Sequence, residues 1–479
     1  MAHDKTLVSL IVTLGTIAAI GACESGASDG AGGSGGSNSP GGSAGKSSSA
    51  GGSSAGGAVS GNGGTNSAGN PSGAAAGQIG SGASGGTSAG DGGTGAVGDG
   101  GTNTDGGMDA AGGEAGQAST GREFAYVSSR FNGGGVRVAS IDRSSGRLDV
   151  LPNAPVASRG VVALAVESTQ RFVYVADEVK HIETYRIAED GSLPAQPASS
   201  VELSETVATL ALDPKARFAY ATTLRDFNEP DRGGAVHTFK IDAETGALTA
   251  SGQPLQLGKV DDGVQPAFLA LDPTGTFAYI SLTGEIGLRG YRVDPTTGTL
   301  AKLPDSPFPD TIVPEAAGVF AGGIVFSPSG DFLYTAGGAL NAFSIEKATG
   351  NLALVQGSPF TREIQSDPGA PNISIDPKGK YLYVTKFSFS NIPPSVSGFE
   401  INQTTGALTA VPGSPIRDAT SFPYSLAVNP SGTFLLVAQD FGQVAVSSIK
   451  RSTGAFAEVE GSRFTLGGLE PKIAFATRP

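Results

Sequence analysis

The chain has 479 residues, a formal net charge of −13, 74 glycines, one cysteine and three histidines. One cysteine excludes a disulfide framework within the chain. With only His3, His181 and His237 beside Cys23, a structural zinc site of the usual Cys/His kind is excluded too. No basic stripe is present, so a nucleic-acid partner is not expected.

Residues 1–22 read as a secretory signal: Lys5 precedes a mostly apolar run from Leu7 to Ile20 that is short and interrupted by Thr, Ser and Gly. The run ends Ile20-Gly21-Ala22-Cys23, which resembles the bacterial lipobox, where small residues fit the peptidase site and the cysteine thiolate receives the lipid. Lipidation is expected at Cys23. The partner there is a membrane, and the expected location is the bacterial cell envelope, outside the cytoplasm. Acyl chains would hold firmly, at ~0.8 kcal/mol for each buried methylene.

Residues 23–120 are a Gly/Ser/Ala-rich linker. Between Glu24 and Thr120 there are 35 glycines and no aromatic residue. Such a segment cannot bury enough apolar surface to offset the entropy of ordering its backbone, so disorder is expected. A flexible coil of this length spans roughly 55 Å, enough to hold a domain away from a membrane. The folded part is then 121–479.

From Glu123 onward the chain repeats. Segments of large-small-large apolar alternation recur seven times, as in Leu164-Ala165-Val166, Leu210-Ala211-Leu212, Leu269-Ala270-Leu271 and Leu426-Ala427-Val428. Period-2 alternation marks strands. Turns such as Asp272-Pro273-Thr274-Gly275 and Asn429-Pro430-Ser431-Gly432 follow, with the residue preferences of type I turns. Second strands come next, opening at Phe124, Phe172, Phe218, Phe277, Phe332, Tyr381 and Phe434, spaced 46 to 59 residues apart. A third strand and a glycine hairpin (Gly146, Gly191, Gly246, Gly298, Gly350, Gly406, Gly454) lead to a fourth strand expected two residues later. Four strands per unit and seven units predict an all-β, seven-bladed β-propeller. The first unit lacks a first strand, and an orphan strand at Lys472 to Ala476 remains. The C-terminus therefore supplies the innermost strand of blade one and closes the ring. A monomer is expected.

This pattern, with its Asp-Pro-x-Gly turns and second strands such as Tyr381-Leu382-Tyr383-Val384-Thr385-Lys386, resembles the seven-bladed lactonase-type propellers. That family includes the 6-phosphogluconolactonase-like enzymes. The resemblance implies lactone hydrolysis by a histidine and an arginine in a Gly-Pro-Arg-His stretch opening an innermost strand. The matching positions here are Pro266-Ala267-Phe268, Pro371-Asn372-Ile373, Pro423-Tyr424-Ser425 and Pro471-Lys472-Ile473, none with histidine. That departure favours a non-catalytic binding or display module over a lactone hydrolase, with a carbohydrate or protein ligand at the channel face. No cofactor and no metal are expected.

Long loops are where a binding rim belongs. Thr222 to Gly234 carries Arg225, Asp226, Glu229, Asp231 and Arg232; Lys386 and Arg362 stand in neighbouring loops on the same face. Asp226, Glu229 and Asp231 have the hard oxygens of a calcium site, but their spacing matches no dedicated calcium loop. His181 and Arg225 are the candidate catalytic side chains. The structural alternative for His181 is a surface residue at a strand end, and for His237 packing between blades.

Overall fold

A computed structural model describes residues 121–478, apart from 131–133, 153–155, 158–159, 225–233, 259–264, 284–286, 310–321, 362–370, 387–392, 418–421 and 466–469. The signal, the linker and Cys23 lie outside the described residues. So do Arg225, Asp226, Glu229, Asp231, Arg232 and Arg362.

The strands form seven antiparallel sheets, one per repeat. Blade one contains β1 (Arg122–Ser129), β2 (Gly135–Ile141) and β3 (Leu148–Val150), and its innermost strand is β31 (Ile473–Arg478), paired with β1 from Arg122↔Arg478 to Val127↔Ile473. Blade two is β4 (Val161–Val166), β5 (Phe172–Asp177), β6 (His181–Arg186) and β7 (Ser199–Glu202). The innermost strands of blades three to seven are β8 (Val207–Leu212), β13 (Gln265–Leu271), β17 (Gly323–Phe326), β21 (Ile373–Ile375) and β26 (Pro423–Val428).

Two details depart from the sequence expectation. In blade two the fourth strand opens at Ser199 rather than at Leu193. Pro194 and Pro197 intervene, and proline cannot donate to a ladder. In blades three, six and seven the outer edge is two pieces in line. In blade three, β11 (Leu248–Ala250) and β12 (Leu255–Gln256) both pair with β10 (Ala235–Ile241).

The second strands are buried along almost their whole length, as in β5 and in β14 (Phe277–Thr283). Their aromatic residues join blade to blade. The ring of Phe172 fills the space where a Cβ on Gly246 of the next blade would sit, 2.6 Å away. Gly246 has φ +73°, a conformation in which glycine is favoured. Two residues on, Tyr174 donates its hydroxyl to the Gly246 carbonyl at 2.9 Å. The ring-on-glycine contact recurs at all seven junctions, and the tyrosine hydrogen bond at six of them.

Candidate functional site

The first-to-second-strand turns lie on one face of the ring. The second-to-third-strand loops and the inter-blade connections lie on the other. At this second face the innermost strands begin, and in blades two, three, four and seven each begins with a bulge. The register shifts between Val161 and Ala163, Val207 and Thr209, Pro266 and Phe268, and Pro423 and Ser425. A bulge adds one residue and re-aims a side chain next to a site. The added residues are Val162, Ala208, Ala267 and Tyr424. The proline alignment puts Asn372 of blade six and Lys472 of blade one at the same place. Small or apolar residues therefore stand in blades two to four, and Asn372, Tyr424 and Lys472 in the consecutive blades six, seven and one.

Residues at adjoining strand ends extend this polar sector. Arg130 follows β1, and its Nη1 donates to Glu470 Oε2 at 2.9 Å. The same guanidinium approaches Glu178, which follows β5, with Nε 3.5 Å from Oε2. Asp440 follows the second strand of blade seven, and its Oδ1 accepts the Phe422 N–H at 3.3 Å. Lys472 is tied to blade one through its backbone: its carbonyl accepts the Ser128 N–H at 2.9 Å, and its N–H donates to Ser128 Oγ at 3.2 Å.

Two pKa values are displaced here. Burial lowers that of the Lys472 amine; Arg130 adds to the fall and Glu470 opposes it. Lys472 is only partly buried by accessible surface, as befits a side chain that solvent reaches at a mouth while protein crowds around it. Burial, helped by Glu470 and Asp440, pushes the Tyr424 phenol up to about 12. The sector thus offers an amine biased toward its neutral, basic form and a hydroxyl that keeps its proton.

Of the residues singled out from sequence, His181 opens β6, two strands out from the innermost strand. Its N–H donates to Asp177 Oδ1 at 2.8 Å, and its Nδ1 lies 3.4 Å from Asp177 Oδ2. Lys386 ends the second strand of blade six and is buried. His237 stacks on Phe239 of its own strand at 6.5 Å, and its Nε2 lies 3.2 Å from Glu205 in the connection that leads into the same blade. Sequence reasoning did not select Lys472, Tyr424, Arg130 or Glu470. The first two lie in the tripeptides aligned on proline, one residue before the position where the family resemblance implies a histidine. Among the described residues no cluster has the ligands for a metal ion, and no helix is long and apolar enough to cross a membrane.

The strands thus form a closed seven-bladed propeller with a polar, titratable corner where the inner strands begin. The family profile described as lactonase, seven-bladed beta-propeller, matches residues 124–465, and the chain belongs to that family. A search of curated proteins gave no match. Among solved structures, a candidate 6-phosphogluconolactonase from Bacteroides fragilis is 18% identical with a TM-score of 0.59, over 75% of this chain and 99% of that one. The periplasmic gluconolactonase of Pseudomonas aeruginosa is 19% identical with a TM-score of 0.59, over 75% of this chain and 100% of that one. At these identities the likeness is one of fold.

Proposed function

We propose that the protein hydrolyses lactones at the corner formed by blades seven, one and two. The observation that carries this reading is the polar corner where the inner strands begin: Lys472, next before the ring-closing strand and with its pKa lowered by burial, and Tyr424, the bulged residue of blade seven. Family membership supports it, as do relatives described as lactonases. The neutral amine takes a proton from water, the water oxygen attacks the lactone carbonyl, and the ring C–O bond breaks. Tyr424 gives its proton to the leaving ring oxygen and takes one back from the Lys472 ammonium, which restores both groups. Base catalysis of this kind contributes ~10²- to 10⁴-fold.

The charge of the corner supports an uncharged lactone rather than a phosphorylated one. Glu178, Glu470 and Asp440 are three acids, and the Arg130 guanidinium is engaged by two of them. Among the described residues of this corner, a phosphate would face three carboxylates, which disfavour it.

The test is hydrolysis of glucono-1,5-lactone and its 6-phosphate by the purified protein, followed by pH-stat against the spontaneous rate. We expect the unphosphorylated lactone to be preferred. The rate should rise with pH through an amine pKa below the usual lysine value of ~10.4, and Lys472→Met should lose about 100-fold or more. Since a lowered amine pKa means that the unfolded chain binds more protons, Lys472 weakens the fold as pH drops below the unfolded value. Lys472→Met should therefore also raise the melting temperature at neutral pH.

The second reading, a non-catalytic binding or display module, rests on Phe268, Ile373, Ser425 and Ile473 at the channel-mouth positions where histidine would stand. A rate no higher than the spontaneous one for both lactones would favour it. For either activity we place the protein at the bacterial envelope, anchored through Cys23. Cys23→Ala should release it from the membrane fraction or block its processing.

A further inference from the structure

We propose that the mouth binds lactones carrying an aliphatic chain, with Phe268 as the side chain that selects for the chain. The lactone head rests on the proposed function; the apolar seat for the tail does not.

The mouth is divided by chemistry. Asn372, Tyr424 and Lys472 stand where the inner strands of blades six, seven and one begin. The inner strands of blades two to five, β4, β8, β13 and β17, contain no charged side chain, and Thr209 and Gln265 are their polar ones. The bulged residues on this arc, Val162, Ala208 and Ala267, are partly exposed.

Phe268 follows the bulge in blade four. It lies directly opposite Ser281 of β14, so the two side chains share one face of the sheet. Ser281 donates its hydroxyl to the Gly322 carbonyl at 3.1 Å, which identifies that face as the one toward blade five. Blade five cannot cover the ring there. A Cβ on Gly322 would run into the Ala336 carbonyl, and one on Gly323 would lie 2.8 Å from Ile373 of blade six, so close packing keeps both positions free of side chains. The next residues of β13 are covered: Leu269 clusters with Phe218 and Tyr220 of blade three, and Ala270 packs against the cluster shared with blade five. Phe268 stays partly exposed and, among the described residues, joins none of the seven apolar clusters. β13 pairs on one side only, with β14, so the open space beside this ring is the mouth of the channel.

Burying apolar surface is favourable in proportion to its area. A ligand that fills this mouth therefore turns its polar group toward blades six, seven and one and an uncharged, saturated tail toward blades two to five. A lactone with an alkyl chain on the ring carbon next to the ring oxygen has this division. The chain takes no part in the bond changes, so Phe268 acts by binding, and its effect is read as a ratio between long and short substrates.

The full-length protein is assayed by pH-stat on δ-valerolactone, δ-octalactone and δ-decalactone. Calorimetry measures its binding of δ-valerolactam and of a δ-lactam carrying the pentyl chain of δ-decalactone, which share the ring but resist hydrolysis. Each fully buried methylene raises affinity about fourfold. With the chain partly covered, kcat/KM for δ-decalactone should exceed that for δ-valerolactone about tenfold or more, and the pentyl lactam should bind tighter by a similar factor. Phe268→Ala should shrink both ratios by about fivefold, and Phe268→Leu should keep most of them. Circular-dichroism melts confirm that each variant is folded, and if Phe268→Ala does not fold, the chain-length series on the parent decides. Hydrolysis of short and long lactones with the same kcat/KM overturns the proposal and leaves the hydrolase reading intact. Tighter binding of the pentyl lactam, with no lactone hydrolysed above its spontaneous rate, sinks the hydrolase reading and leaves this one intact. A chain-length preference unchanged in Phe268→Ala overturns Phe268 as the selecting residue.

Discussion

Asn429 occupies the turn position that aspartate holds in blades three, four and six (Asp213, Asp272 and Asp376), and Glu123 explains the exchange. In blade four, Asp272 Oδ1 accepts the N–H groups of Thr276 and Phe277 at 2.7 and 2.6 Å. Asn429 Oδ1 does the same for Thr433 and Phe434, at 2.9 and 2.8 Å. Its Nδ2 also donates to the fully buried Glu123 of blade one at 2.5 Å. An aspartate there would set two carboxylates against each other, raising a carboxyl pKa in the folded state above its unfolded value. Stability from a raised pKa is present below the unfolded value and lost as pH rises through the folded one. Asn429→Asp should thus melt near the parent temperature at about pH 4 and fall progressively behind by pH 7, by about 3 kcal/mol. Equal melting at both pH values would remove Glu123 from this account. Lys472 shows the limit of reading single residues. Its place beside a proline is visible in the sequence, but its environment is not, because Arg130 and Glu470 are 340 positions apart and meet only when the ring closes.

The blade is the element at which sequence and structure agree best, and the reason is local. Alternation, turn residues and the hairpin glycines all act within about fifty residues, so each repeat carries its own instructions. What the pattern conceals is the use of its tyrosines. Tyr126, Tyr174, Tyr220, Tyr279, Tyr334 and Tyr383 each donate to a glycine carbonyl in the next blade. Burial raises the pKa of all six, so the donors stay protonated. At the seventh junction the residue is Leu436, and Asn429 and Ser431 of blade seven donate to Glu123 of blade one across that seam instead. Fourth-strand placement in blade two was not legible, since prolines shift it by several residues. The staple itself can be weighed. Tyr220→Phe keeps the ring and strands the buried Gly298 carbonyl, which accepts at 2.9 Å. It should cost about 1–3 kcal/mol, read as a lower urea midpoint with unchanged slope. An unchanged midpoint would make the contact incidental.

At the scale of the whole molecule, closure decides both stability and site. The β31–β1 pairing joins the two ends of the folded chain, and the same joint brings Glu470 and Lys472 to Arg130. Closure was readable from strand counting, since the first unit lacks a first strand and the end of the chain supplies one. That the joint also carries the polar corner was not readable, because it depends on contacts between residues at opposite ends of the sequence. Removing residues 473–479 should test the joint while sparing Lys472. The cut takes away six register pairs with β1 and bares a strand edge whose side chains are almost all buried. It also removes Phe475 and Ile473 from the cluster between blades seven and one, and Ala476 from that between blades one and two. Each large apolar side chain is worth about 1.5–3 kcal/mol on full burial, so two partly buried ones and the lost ladder exceed any single substitution above. Unpaired edges also recruit other chains. The truncated protein should melt well below the parent and show concentration-dependent aggregates by light scattering, with lactone hydrolysis lost. If it forms no aggregates and melts with the parent, the seventh seam holds without β31, and the ring does not depend on its closing strand.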